Sequence, residues 1–148
     1  MVRDISVIKN MLESQKIPHA YQKDRWQNPV VQKIIIPQDK LRLIFQFDWR
    51  GNFVDISVYG NVRGEVEESP FQYVVQGDRD TGTHARFIEM LKSLGSTGWK
   101  SNYCEDPLCC SNGDTIVIER GWHGCRAEFE FIFGEFSAIK LVEQEQQK

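Results

Sequence analysis

The spacing of hydrophobic positions changes along the chain, and each change marks an element. Ile5, Ile8, Met11 and Leu12 recur at helical spacing among polar residues, which predicts a helix over 4–15, with Asp4 placed to cap its first turn and Pro18 discouraging continuation. From Val30 and Val31 through Ile34, Ile35 and Ile36 the pattern becomes dense and β-branched, and Pro37-Gln38-Asp39 then makes a turn. Leu41, Leu43, Phe45 and Phe47 follow in alternation with Arg42, Gln46 and Asp48, the signature of a half-buried strand. Trp49-Arg50-Gly51-Asn52 supplies a tight turn, after which Val54, Ile56 and Val58 face one way and Asp55, Ser57 and Tyr59 the other. The two runs predict an antiparallel hairpin.

Residues 60–70, with two glycines and three glutamates, read as a loop, Phe71, Tyr73 and Val75 as a further short strand, and 77–83 as a second break. A second helix is expected over 83–94, with Phe87, Ile88, Leu91 and Leu94 on one face and Gly95 as its stop. Four more strands are expected at 99–103, 115–119, 126–133 and 136–142. The polar stretch 19–28, which holds Tyr21 and Trp26, reads as an irregular edge strand open to a partner strand.

The halves echo one another. Met11-Leu12-Glu13-Ser14 and Met90-Leu91-Lys92-Ser93 end the two helices, Trp49-Arg50-Gly51 matches Trp122-His123-Gly124, and Val54-Asp55-Ile56 matches Ala127-Glu128-Phe129. The reading is one domain, 1–148, built of half-repeats 4–76 and 80–142 with 143–148 as a frayed tail. The order helix, strands, helix, strands contains no strand–helix–strand alternation, so the expected class is α+β: two helix-plus-antiparallel-meander halves with the helices on one face of antiparallel sheet. Over residues 4–133 this order resembles the type III secretion chaperone-like fold, also seen in sensory transduction regulator proteins. That resemblance implies a surface for binding other proteins and no catalytic cleft. The strand at 136–142 departs from it, because a helix would be expected there.

Composition narrows the function classes. The 148 residues are 41% apolar and 26% charged, with 18 basic and 21 acidic side chains and a formal charge of -3. That suits one ordinary globular domain, and the longest aliphatic cluster, Ile34 to Ile36, is far too short to cross a membrane as a helix. No clustered basic platform exists, which argues against nucleic acid as the partner. No secretory leader pattern opens the sequence, so the expected compartment is the cytoplasm.

Four cysteines, Cys104, Cys109, Cys110 and Cys125, fall in the last third. With His123 they offer more than the four ligands that tetrahedral zinc requires, although their spacing is not that of a zinc knuckle. A zinc site or a redox-active thiol pair is therefore one alternative, with His123 and Cys125 expected on a shared strand face. Phosphate loops, nucleophile elbows and zinc-protease signatures are all missing, and Asp55 and Glu128 are expected to point outward, so the chain reads as non-enzymatic. Trp49 and Trp122 lie at expected turns, each beside a polar neighbour, Arg50 or His123, the residue types that interface centres favour. The leading expectation is a protein-binding module, working as inhibitor, immunity protein, regulator or chaperone-like adaptor through Trp49, Arg50, Trp122, His123 and Trp26, without a cofactor and with a homodimer as one option. A small-molecule or nucleotide binder using an aromatic sheet face is the remaining alternative.

Overall fold

The computed structural model describes residues 3–24, 31–60, 64, 68–71, 83–101 and 113–143. Helix α1 (Asp4–Ser14) precedes strands β1 (Ala20–Asp24), β2 (Val31–Gln38), β3 (Leu41–Phe47) and β4 (Phe53–Tyr59). Helix α2 (Thr83–Lys92) precedes β5 (Trp99–Ser101), β6 (Gly113–Ile118), β7 (Cys125–Ile132) and β8 (Glu135–Glu143). Each half is an antiparallel four-stranded sheet in sequence order, β1-β2-β3-β4 and β5-β6-β7-β8. The α+β class and the two similar halves therefore hold.

Both sheets turn an apolar face into one shared core. Phe45 of β3 meets Phe129 of β7 edge-on at 6.1 Å between ring centroids, and Phe87 of α2 lies 4.7 Å from Phe129. Ile5, Ile8, Met11 and Leu12 of α1 and Phe87, Met90 and Leu91 of α2 complete the cluster, as the helical spacing requires. The aromatic sheet face is thus filled by the protein itself.

The halves correspond in detail. Each third strand carries a bulge at the same place, between Gln46 and Phe47 in β3 and between Glu130 and Phe131 in β7. Each helix end is closed by a serine hydroxyl donating to the backbone three residues back, Ser14 Oγ to Met11 O at 2.7 Å and Ser93 Oγ to Met90 O at 2.5 Å. Each helix start donates to the glycine of its own half's last turn, Ile5 N to Gly51 O and His84 N to Gly134 O, both at 3.0 Å. Gly51 therefore corresponds to Gly134. The matched turns of the sequence reading do not correspond: Trp49-Arg50-Gly51 joins the third and fourth strands of its half, whereas Trp122-His123-Gly124 joins the second and third of the other.

The fourth strands are bound reciprocally. Val58 of β4 donates to Arg120 O at 2.8 Å and accepts from Trp122 N at 2.7 Å, in the turn between β6 and β7. At the corresponding place on β8, the Gln38 side-chain amide accepts from Leu141 N at 2.8 Å and donates to Ile139 O at 3.1 Å. The approach at Val58 requires glycine at 121, where φ is +103° and an added Cβ would lie 2.3 Å from Val58 O.

Three local expectations need correction. The stretch read as irregular holds a regular strand, β1, with Tyr21 fully buried, and its outer edge is not open there: Tyr21 O accepts from Ser69 N at 2.7 Å. Asp4 does not cap its own helix; its carboxylate accepts from Phe53 N and from Arg86, both at 2.9 Å, tying α1 to β4 and α2. Phe71 is not in a strand, and the rest of the strand expected at 71–75 lies outside the described residues, as do Asn102, Tyr103 and the tail 144–148.

Candidate binding surface

Two hairpin tips, one per half, present large apolar side chains to solvent. Six large hydrophobic side chains are exposed among the described residues, and four of them sit at these tips: Trp49 (55% exposed) and Val54 (50%) at the β3–β4 turn, Ile132 (50%) and Phe133 (75%) at the β7–β8 turn. The tips share one end of the molecule. Gly51 bonds to the start of α1, Asp4 at that start is bridged to Arg86 in the first turns of α2, and the start of α2 bonds to Gly134.

The first tip is built by Asp48. Its Oδ1 accepts from Arg50 N and Asn52 N, each at 2.9 Å, and its Oδ2 accepts from the Asn52 amide at 3.1 Å. That consumes the carboxylate in folding the turn and fixes the direction in which residues 49 and 50 leave it. The Arg50 guanidinium lies 4.6 Å from the centre of the Trp49 ring, a cation–π contact that orders both side chains before any partner arrives.

The second tip contains a backbone outlier. Phe133 and Gly134 form a two-residue loop between the paired residues Ile132 and Glu135, with φ of +53° and +78°. Positive φ at both positions is the type I′ pattern, which favours Asn-Gly, and a bulky residue in that conformation costs about 1 kcal/mol. A strained phenylalanine left in solvent gives the fold nothing it could not obtain from asparagine. Sequence reasoning placed Phe133 at a strand end and missed it; the signal was the aromatic–glycine pair between two alternating runs.

Trp122, His123 and Cys125 occupy a different place. The Trp122 ring lies against Gly60, where an added Cβ would stand 2.9 Å from its Cε3, and its backbone binds β4. Trp122 therefore closes the junction between the halves while remaining 48% exposed. His123 is exposed in the turn, whereas Cys125 opens β7 and points into the core, so the two do not share a strand face. Burial, with Glu143 adding to it, pushes the Cys125 thiol above its ordinary range and favours the neutral form. No group of three or more His, Cys, Asp or Glu side chains gathers among the described residues. Cys104, Cys109, Cys110 and Trp26 lie outside those residues. A hollow of about 320 Å³ lined by Glu119, Trp122, His123 and Arg126 adjoins this turn.

One polar cluster went unread in the sequence. Asp114 of β6 is buried, and its Oδ2 receives both Ser101 Oγ and His84 Nε2, each at 2.5 Å. Its Oδ1 has no hydrogen-bond partner among the described residues. Both groups meet the same carboxylate oxygen, so these contacts do not place the imidazole between carboxylate and hydroxyl, the order a nucleophilic triad uses. Asp55 and Glu128 pair with arginines, Asp55 with Arg120 at 2.8 Å and Glu128 with Arg126 at 3.5 Å, and stand on non-corresponding strands. Comparison with protein-family models, curated proteins and solved structures gives no match.

Proposed function

We propose that the protein is a non-enzymatic binding module whose partner-facing surface is the end formed by the two hairpin tips, with Trp49, Arg50, Val54, Ile132 and Phe133 as its contact residues. The observation that carries this reading is the exposed Phe133 at positive φ, facing solvent at the end that also presents Trp49. Strain retained at an exposed position suits a contact residue, since the fold gains nothing from it. Rigid aromatics and a pre-ordered arginine are the side chains that most often dominate interface energies. Regulator, inhibitor and adaptor roles all work through such a surface.

The test is quantitative capture of cross-linked partners from source cells by the wild type, a Trp49→Ala/Phe133→Ala variant and a Lys100→Ala control on another surface. The tip variant is expected to keep its thermal unfolding transition and lose at least about tenfold in capture, equivalent to about 1.4 kcal/mol. Equal capture by all three would sink the reading.

A further inference from the structure

We propose that the occupant of this end is a second copy of the chain, docked by a twofold rotation that sets the Trp49–Arg50 tip of one copy against the Phe133–Glu135 tip of the other. The proposal rests on the reading of the end as the binding surface and names its partner. Three observations carry it.

The first is charge. Arg50 is exposed at one tip and Glu135 at the other, and neither forms an ion pair among the described residues. Asp48 keeps its negative charge beside Arg50, but its oxygens are directed at Arg50 N, Asn52 N and the Asn52 amide, and Asp4 is paired with Arg86, so the Arg50 guanidinium itself is left for a partner carboxylate. Among the described residues, one tip thus presents an unpaired guanidinium and the other an unpaired carboxylate, and a rotated copy sets each against the other.

The second is apolar matching. Each charge stands beside exposed hydrophobic groups, Trp49 and Val54 with Arg50, Ile132 and Phe133 with Glu135. A twofold contact repeats every pairing, so a rotation that joins Arg50 to Glu135 also brings the aromatic rings of the opposite tips together twice. The third is the duplication: the tips hold corresponding positions in their halves and are linked through α1 and α2, which gives one rigid patch its two complementary ends. The competing route to self-association through the β1 edge is covered at Tyr21 and Lys23 by Ser69.

Sedimentation velocity over a wide concentration range tests this with four proteins: wild type, Arg50→Glu, Glu135→Arg and the double exchange. Wild type is expected to dimerise reversibly, each single variant to associate at least about tenfold more weakly through like-charge contact, and the double exchange to regain association. Both positions are exposed at turns, and unfolding curves confirm that each variant is folded. A wild type that stays monomeric, single variants that dimerise normally, or a double exchange that fails to recover overturns the proposal. The capture experiment separates the two levels: lost capture by the Trp49→Ala/Phe133→Ala variant of a monomeric chain removes the self-pairing and leaves the binding surface standing.

Discussion

Gln32 and Asp114 stand at the same place in their halves, on the second strand and opposite the phenylalanine that borders the bulge, Phe47 or Phe131. Gln32 is neutral and uses both ends of its amide: Oε1 accepts from the Tyr21 hydroxyl and Nε2 donates to Asp48 O at 2.8 Å. Asp114 is ionisable and leaves Oδ1 bare among the described residues. Their neighbours have changed together, since Ser101 takes the place of Tyr21 and His84 that of Ile5. The large hydroxyl donor has become small, and an imidazole on the helix fills the space. Inner-face shape is common to both halves, whereas the polar insertion has two different solutions. Packing constrains volume more tightly than it constrains which donors and acceptors fill it.

The sharpest way to test the correspondence is to remove equivalent rings. Phe45→Ala and Phe129→Ala are each expected to cost about 3–5 kcal/mol in chemical denaturation, because both side chains are fully buried in the shared core. If one half alone responded, the shared core would be wrong. Gly121→Ala comes next, at about 3 kcal/mol, since it forces a Cβ onto Val58 O at a backbone conformation that suits glycine. Its counterpart contact is made by a side chain, so Gln38→Ala should cost only about 1–2 kcal/mol for two lost hydrogen bonds. A Gln38 effect as large as that of Gly121 would show that the two junctions are not built as differently as their geometry implies.

Exchanging the polar pair is expected to have unequal effects in the two halves. Gln32→Glu places a charge where Asp48 O needs a donor and is expected to cost about 2–3 kcal/mol. Asp114→Asn removes a carboxylate whose second oxygen is bare, offsetting weaker bonds to Ser101 and His84, and should change stability by less than about 1 kcal/mol. Similar costs for the two substitutions would show that the satisfaction of these groups does not differ as described.

The helices and the β3–β4 hairpin were legible because one face of each is apolar at the period of its own secondary structure. Strand β1 was not, since Ala20–Asp24 is polar apart from one buried ring, and its pairing with β2 defines it more than its composition does. The repeat was half legible. The helix ends match because the same two core contacts and the same serine recur, but the Trp-x-Gly match followed residue identity across turns that join different strands. Only the bonds from each helix start to Gly51 or Gly134 reveal the true counterpart. Trp49 could be picked out as a turn aromatic beside an arginine, whereas Phe133 continues an alternating run, so that only the glycine after it marks the turn in the sequence and its positive φ is seen in the structure alone.

Cys125 and Leu41 make the finest comparison, because they fill the same inward position on β7 and β3 and only one of them titrates. Burial, with Glu143 adding to it, raises the Cys125 pKa above the ordinary thiol value, so the folded state holds its proton after the unfolded chain has released one. The unfolded state then binds fewer protons, and stability must fall as pH rises through the unfolded-state value toward the raised folded one. Below that window the thiol is neutral in both states and contributes no slope. Denaturation at pH 7.5 and at about pH 10 is therefore expected to show a loss in wild type that is smaller in Cys125→Leu, with the difference under about 1.5 kcal/mol. Every other group is common to both proteins and cancels in that difference. An identical alkaline loss would mean that the Cys125 site is wetter than its buried position against Trp122 and Gly60 implies.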